Sequence, residues 1–295
     1  MSHSCYAKSL FRQALTLLEL VVVLGILAVL STVAVRSLEP IADQARYELT
    51  QTVLSDVRLA TVSANSRESS FVGDTGAFPS DVDELLGRPV SLVAHSIQSF
   101  DSDRDTVNDV TLSSGWKGPY LHLGVGLSKV LDGWGAVPTL IANSGNLSII
   151  SLGSDGDSLS PENGFRADLT ATILAREYLG DITFRLFAID GANGSRVDPN
   201  PTGTEQLGVL FYGVNATGGT DGSIAEQMLV VPNSGTFEHR RLNTFCRAVA
   251  ARAIQWNDTD SDDVLDLGEM IVKRSFVHYP NMHPAADVRV EMELR

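Results

Sequence analysis

The sequence predicts an α+β protein. A long N-terminal helix, including a transmembrane segment, packs on a small β-sheet head, and an appended C-terminal all-β, sandwich-like domain follows. Three observations predict it. Residues 15–35 (LTLLELVVVLGILAVLSTVAV) form an apolar run broken by one charge, Glu19, and about 20 such residues is the length of a bilayer-spanning helix. Ile41, Ala45, Leu49, Val53, Val57 and Ala60 then recur every three or four residues, with Asp43, Arg46, Glu48, Asp56 and Arg58 between them, which is helical spacing. From residue 175 onward the period falls to two. Ile182, Phe184 and Leu186 alternate with Thr183 and Arg185, and Val288, Val290, Met292 and Leu294 alternate with Arg289, Glu291 and Glu293, as in strands with one buried face.

Each element follows in order. Ahead of the apolar run stand Lys8 and Arg12 and no acid, a charge bias that keeps this end cytoplasmic and places the rest of the chain outside the cytoplasm. The run is followed by Arg36-Ser37-Leu38-Glu39-Pro40, which lacks the small-residue site of a removed secretory signal, so the segment is expected to stay as a single-pass anchor. One helix over residues 16–66 is about 75 Å long, with a bend at Pro40, which removes one backbone bond. Residues 67–174 are rich in Gly, Ser, Asp and Pro between short apolar runs and read as a small sheet with long connections. Further apolar runs at 207–214, 228–232 and 270–279, separated by Gly/Asn/Asp turns, make 175–295 a separate β-rich domain.

Composition narrows the function. Hydrophobic residues are 43% and charged residues 20% of the 295, and the net charge is −14. An acidic chain with no denser basic cluster than Arg240, Arg241, Arg247 and Arg252 is not expected to bind nucleic acid. Its two cysteines, Cys5 and Cys246, form no disulfide framework; Cys246, among Phe245, Ala248 and Val249, is expected to be a buried thiol. There is no G-x-S-x-G, no H-E-x-x-H, no phosphate-binding glycine loop and no zinc-type cysteine pair, so no enzyme is expected.

Glu19 is the most informative residue of the apolar run. A carboxylate inside a spanning helix costs at least a few kcal/mol and is by default functional; a free α-amino group from a neighbouring subunit would offset that cost. Residues 14–19, Ala-Leu-Thr-Leu-Leu-Glu, resemble the prepilin cleavage and methylation motif of type IV pilins and type II secretion pseudopilins. The resemblance implies that residues 1–14 are a leader ending at Ala14, that Leu15 becomes the N-methylated first residue, and that Glu19 is the fifth-position acid of filament assembly. The leader's Ala14 stands where glycine is usual, and Leu15 where phenylalanine is. The implied partners are prepilin peptidase, other pilin or pseudopilin subunits and the bacterial inner membrane.

The likeness extends over residues 10–170. Gly76-Ala77-Phe78-Pro79-Ser80, Gly115-Trp116-Lys117-Gly118-Pro119-Tyr120-Leu121, Asp132-Gly133-Trp134-Gly135 and Ser151-Leu152-Gly153-Ser154-Asp155-Gly156 are similar, in order and spacing, to the head of the type II secretion major pseudopilin. Trp116 and Trp134 are expected to be structural. In that family a calcium ion pins the loop after the last motif, which implies Asp155 as a ligand and Asp168, ahead of Asp157 and Glu162, as the second; a solvated acidic turn is the competing reading.

A second calcium signal lies in 258–269. Asp258, Asp260, Asp262, Asp266 and Glu269 occupy positions 1, 3, 5, 9 and 12 of a twelve-residue calcium loop, and Val264 would offer its carbonyl at position 7. Asp263 stands where glycine is usual. Strand-like flanks suit the calcium loops of extracellular β-domains, and the ion is expected to be structural, with an empty acidic loop as the alternative. Asp101-Ser-Asp103-Arg-Asp105 has the same spacing without the closing glutamate. The expected function is a structural filament subunit assembled through its N-terminal helix; the alternative is a filament-tip or surface-displayed binding module using the C-terminal β-domain.

Overall fold

The computed structural model describes residues 17–63, 69–158, 164–214, 221–245, 247–262, 265, 266 and 268–295, with the side chains of residues 17 and 33–38 outside the description. In chain order the elements are α1 (Leu17–Thr61), α2 (Phe71–Thr75), β1 (Ser96–Phe100), β2 (Val110–Ser114), β3 (Thr139–Asn143), β4 (Asn146–Ser151), β5 (Leu169–Ile173), β6 (Leu179–Ile189), β7 (Arg196–Val197), β8 (Glu205–Val214), β9 (Ile224–Val231), β10 (Glu238–Phe245), β11 (Ala250–Asn257), β12 (Ile271–Arg274) and β13 (Asp287–Leu294). Four sheets result: β1–β2, β3–β4–β5, β10–β6–β13 with β7 also on β6, and β12–β11–β8–β9.

Sidedness explains the larger half. Leu207, Val209 and Phe211 of β8 and Ala251 and Ala253 of β11 turn one way, onto Ile182, Phe184 and Leu186 of β6 and Met292 and Leu294 of β13. The alternate residues, Leu210, Tyr212 and Val214 of β8 with Ala250, Ile254 and Trp256 of β11, turn the other way. There the β1–β2 hairpin covers them with Val110 and Leu112. Successive strand side chains point to opposite faces, so a strand covered on both sides reads as an unbroken apolar run rather than an alternating one. That is why β8 is spelled Leu-Gly-Val-Leu-Phe-Tyr-Gly-Val over 207–214.

The smaller core joins α1 to β3–β4–β5. Leu54, Val57 and Ala60 pack with Leu147, Ile149 and Ile173, and with Phe71, Val82 and Leu85 from the segment after the helix. The glycine- and tryptophan-rich motifs are structural here. Asp132 is buried and accepts hydrogen bonds from Trp134 N (3.0 Å), Ala136 N (2.8 Å) and Ser151 Oγ (2.6 Å). Gly133 N donates to Thr50 Oγ1 at 2.9 Å, and a Cβ on Gly133 would run into the backbone of Arg46. Trp116 Nε1 donates to the carbonyl of Glu84 at 3.1 Å.

Two expectations are corrected. The class is not a long transmembrane helix on a small pilin-like head with a β-domain appended: the fold is mainly β, thirteen strands in four sheets among the described residues. The β1–β2 hairpin lies on the C-terminal strands, so strands from the first half of the sequence and from its C-terminal part build one β framework. Nor is a transmembrane helix found: among the described residues no helix is long and apolar enough to cross a membrane. The fully described apolar stretch 18–32 rises about 22 Å, against about 30 Å of hydrocarbon. The run counted from the sequence included residues beyond that stretch. A single-pass inner-membrane placement, with the rest outside the cytoplasm, is therefore unsupported, and so is the description pilin-like.

Two variants test this packing. Arg252→Ala removes a buried guanidinium from two acids on the β1–β2 loop (below) and is expected to cost about 3–5 kcal/mol by urea unfolding. Gly133→Ala is expected to cost about 1–3 kcal/mol through overpacking against α1, seen as a lower Tm with unchanged far-UV circular dichroism.

Candidate metal centre

The loop 258–269 links two antiparallel neighbours, β11 and β12. Asn257 N donates to Met270 O (3.0 Å) and Asp258 N to Thr204 O (3.1 Å), which closes the loop's neck, while Leu265 is buried in the core under the β1–β2 hairpin. These anchors turn the acids together: carboxylate oxygens of Asp258, Asp260 and Asp262 all lie within 4.8 Å of one another. Asp258 is buried and the other two are exposed. Ser261, with φ 65°, donates its N–H to Asp258 Oδ1 at 2.7 Å. Glu269 folds back across the loop, accepting from Thr259 N (2.7 Å) and Asp266 N (3.0 Å), so its carboxylate already spans positions 2 and 9. Val264 and Asp263 lie outside the described residues, and Asp266 is exposed.

Electrostatics distinguish this loop from an ordinary acidic turn. Partial desolvation, then Asp262, Asp266, Glu269 and Asp258, push the Asp260 carboxyl above the ordinary aspartate value. The four charges named are all negative, an arrangement that a hard, oxygen-seeking cation relieves.

The similar run at 101–105 resolves differently. Oxygens of Asp101, Asp103 and Asp105 also lie within 4.8 Å of one another. Here, however, Arg252 Nη1 sits 3.0 Å from Asp103 Oδ2 and 2.7 Å from Ser102 Oγ, and also pairs with Asp109. Arg274 pairs with Asp103 as well. Asp101 is spent on backbone N–H groups, accepting from Asp103, Asp105 and Thr106; against an opposing desolvation effect, these bonds hold its carboxyl below the usual value. The run is a clamp that fastens the β1–β2 loop to β11 and β12. Sequence reading missed it because the neutralising arginines are about 150 residues away; Arg252, a lone charge inside an apolar strand pattern, was the available signal.

The other expected sites are scattered. Asp155 lies exposed in the turn after β4, accepting from Asp157 N (3.3 Å), and Asp168 is exposed just before β5. This turn is tied to its neighbour by backbone, Ser154 N donating to Phe165 O at 3.0 Å, and Asp155 and Asp168 belong to no acidic trio among the described residues. Glu162 lies outside the description, as do Ala14, Leu15, Cys5 and Cys246. Glu19 is exposed in the first turn of α1.

No family model, curated protein or solved structure matches the chain.

Calcium is expected to raise the Tm, by up to about 2.7 kcal/mol of stabilisation at a hundredfold excess over Kd, and EDTA to reverse the rise. Asp260→Asn and Glu269→Gln are each expected to abolish most of it in thermal scans. The pH dependence has a definite sign. A carboxyl raised in the fold favours folding below its unfolded pKa and loses that contribution as pH rises through the folded value. The calcium effect is therefore largest at neutral pH and fades into the carboxylate range.

Proposed function

We propose that this chain is a structural subunit of a secretion-type filament, freed of its leader between Ala14 and Leu15 by a prepilin peptidase and joined to other subunits through α1. One observation carries the reading. Over residues 18–32, α1 is apolar on every side and in contact with solvent: Leu18 is 73% exposed, Val29 64% and Leu30 58%. A helix hydrophobic all round belongs in a buried setting, and among the described residues these side chains stay about half exposed. Neighbouring subunits supply that cover, and head-to-tail contacts that do not close generate filaments.

In this reading Glu19, the one charge among residues 18–32, sets the register between neighbours. Calcium at 258–269 is a structural ion that stiffens the β11–β12 connection on the β-rich head. No step of catalysis is assigned to any residue.

Recovered from cells that carry a prepilin peptidase, the protein is expected to begin at Leu15 and carry one added methyl group by intact-mass analysis. Glu19→Val is expected to be cleaved normally yet fail to enter filaments; normal incorporation of that variant would remove Glu19 from the assembly mechanism. A chain that keeps its first 14 residues sinks the filament reading.

A further inference from the structure

A cavity of about 340 Å³ opens where separate stretches of the chain meet: α2, β2 and the segments beside it, and the connection between β10 and β11. Three of its lining side chains are basic, His95, Lys117 and Arg247, and one is acidic, Asp74. On a chain of net charge −14 that is a local reversal of sign. The acid is already engaged: Asp74 Oδ1 accepts from Arg247 Nη1 and Oδ2 from Tyr120 Oη, each at 3.1 Å. Lys117 and His95 are exposed and form no ion pair among the described residues. With Asp74 and Arg247 cancelling, Lys117 leaves the cavity positive, and a protonated His95 adds to it. A cleft with an excess of one sign concentrates ions of the other.

We infer that this cavity binds a small molecule through an oxyanion, a carboxylate or a phosphate, held by Lys117 and Arg247 with hydroxyls from β2. The strand supplies the hydroxyls by its alternation. Val110, Leu112 and Ser114 are buried, while Thr111 and Ser113 are exposed, and side chains two apart share a face. Both hydroxyls line the cavity, so cations and O–H groups together offer the donors an oxyanion takes. Arg247 is held in place rather than waving in solvent: its side chain is only 16% exposed. Gly73 makes room for its arm, because a Cβ there would stand 2.7 Å from Arg247 Cδ. The next residue, Ala248, has φ 50°, a left-handed conformation that non-glycine residues seldom adopt. In volume the cavity matches the smaller sites for organic ligands, which start at about 300 Å³, so it has room for a metabolite-sized anion. No residue of α1 lines it, and the site stands apart from filament assembly.

The test titrates the full chain by calorimetry with inorganic phosphate and, separately, with succinate. The buffer is free of calcium, and chloride holds the ionic strength constant. The expected result is saturable one-site binding of at least one probe; tighter phosphate marks a phosphate ester as the ligand class, tighter succinate a dicarboxylate. Lys117→Gln, at an exposed position, is expected to raise Kd about tenfold with Tm unchanged. Gly73→Ala, which displaces the Arg247 arm and leaves Lys117 in place, is expected to weaken binding to a similar degree. Lys129→Gln, outside the cavity, is expected to change nothing. Absence of saturable binding for both probes overturns the site, and so does binding that Lys117→Gln leaves unchanged. Either result leaves the filament reading untouched.

Discussion

Burial of β8 and β11 on both faces is the constraint on which the rest of the structure depends. These two adjacent strands carry apolar side chains above and below the sheet, so each face must be covered by something else in the chain. The β10–β6–β13 sheet covers one face with Phe184, Leu186 and Met292. The β1–β2 hairpin, drawn from the first half of the sequence, covers the other with Val110 and Leu112. The unbroken apolar spelling of β8 thus determines where a distant hairpin lies. Arg252 then acts as a fastener: it is a charge on the hairpin-facing side of β11 and meets Asp103, Ser102 and Asp109 at the hairpin's loop.

The same logic ties the two cores together. Asp74, at the end of the segment that follows α1, accepts from Tyr120 Oη (3.1 Å) and pairs with Arg247 at 3.1 Å. Both partners of the pair are largely buried, so each would be costly alone. Phe245, at the end of β10, rests on Tyr178, whose ring in turn meets Phe78. The described part of α1 divides in function: its last turns are core, while residues 18–32 offer apolar surface outward.

Two aspartate runs with nearly the same spacing show how electrostatic context outranks spelling. In both, three carboxylates converge within 4.8 Å. At 101–105 the fold brings Arg252 and Arg274 to the acids and offsets part of their charge. At 258–269 the surrounding charges are Asp266 and Glu269, which add to the repulsion, and Glu269 curls back over the loop. Alternating acids converge in both loops; the neighbours decide whether arginines or further acids face them.

Local features were legible in the sequence because their causes are local. Helical spacing of Leu49, Val53 and Val57 and period-two alternation in β6 and β13 act over a few residues, and each appears as spelled; of the acids at 258–269, Asp258, Asp260 and Asp262 converge. The turn motif at 132–135 also announced a structural role. What the sequence did not disclose depends on partners far along the chain. That the fold is mainly β, that β1–β2 belongs on the C-terminal strands, and that Arg252 neutralises Asp103 and Asp109 follow from which surfaces meet. Such meetings are governed by burying both faces of β8 and β11, a condition no single window of sequence contains. Only the tertiary structure, likewise, sets the apolar stretch 18–32 apart from the buried end of α1, because exposure is a property of what lies beside a helix and not of its spelling.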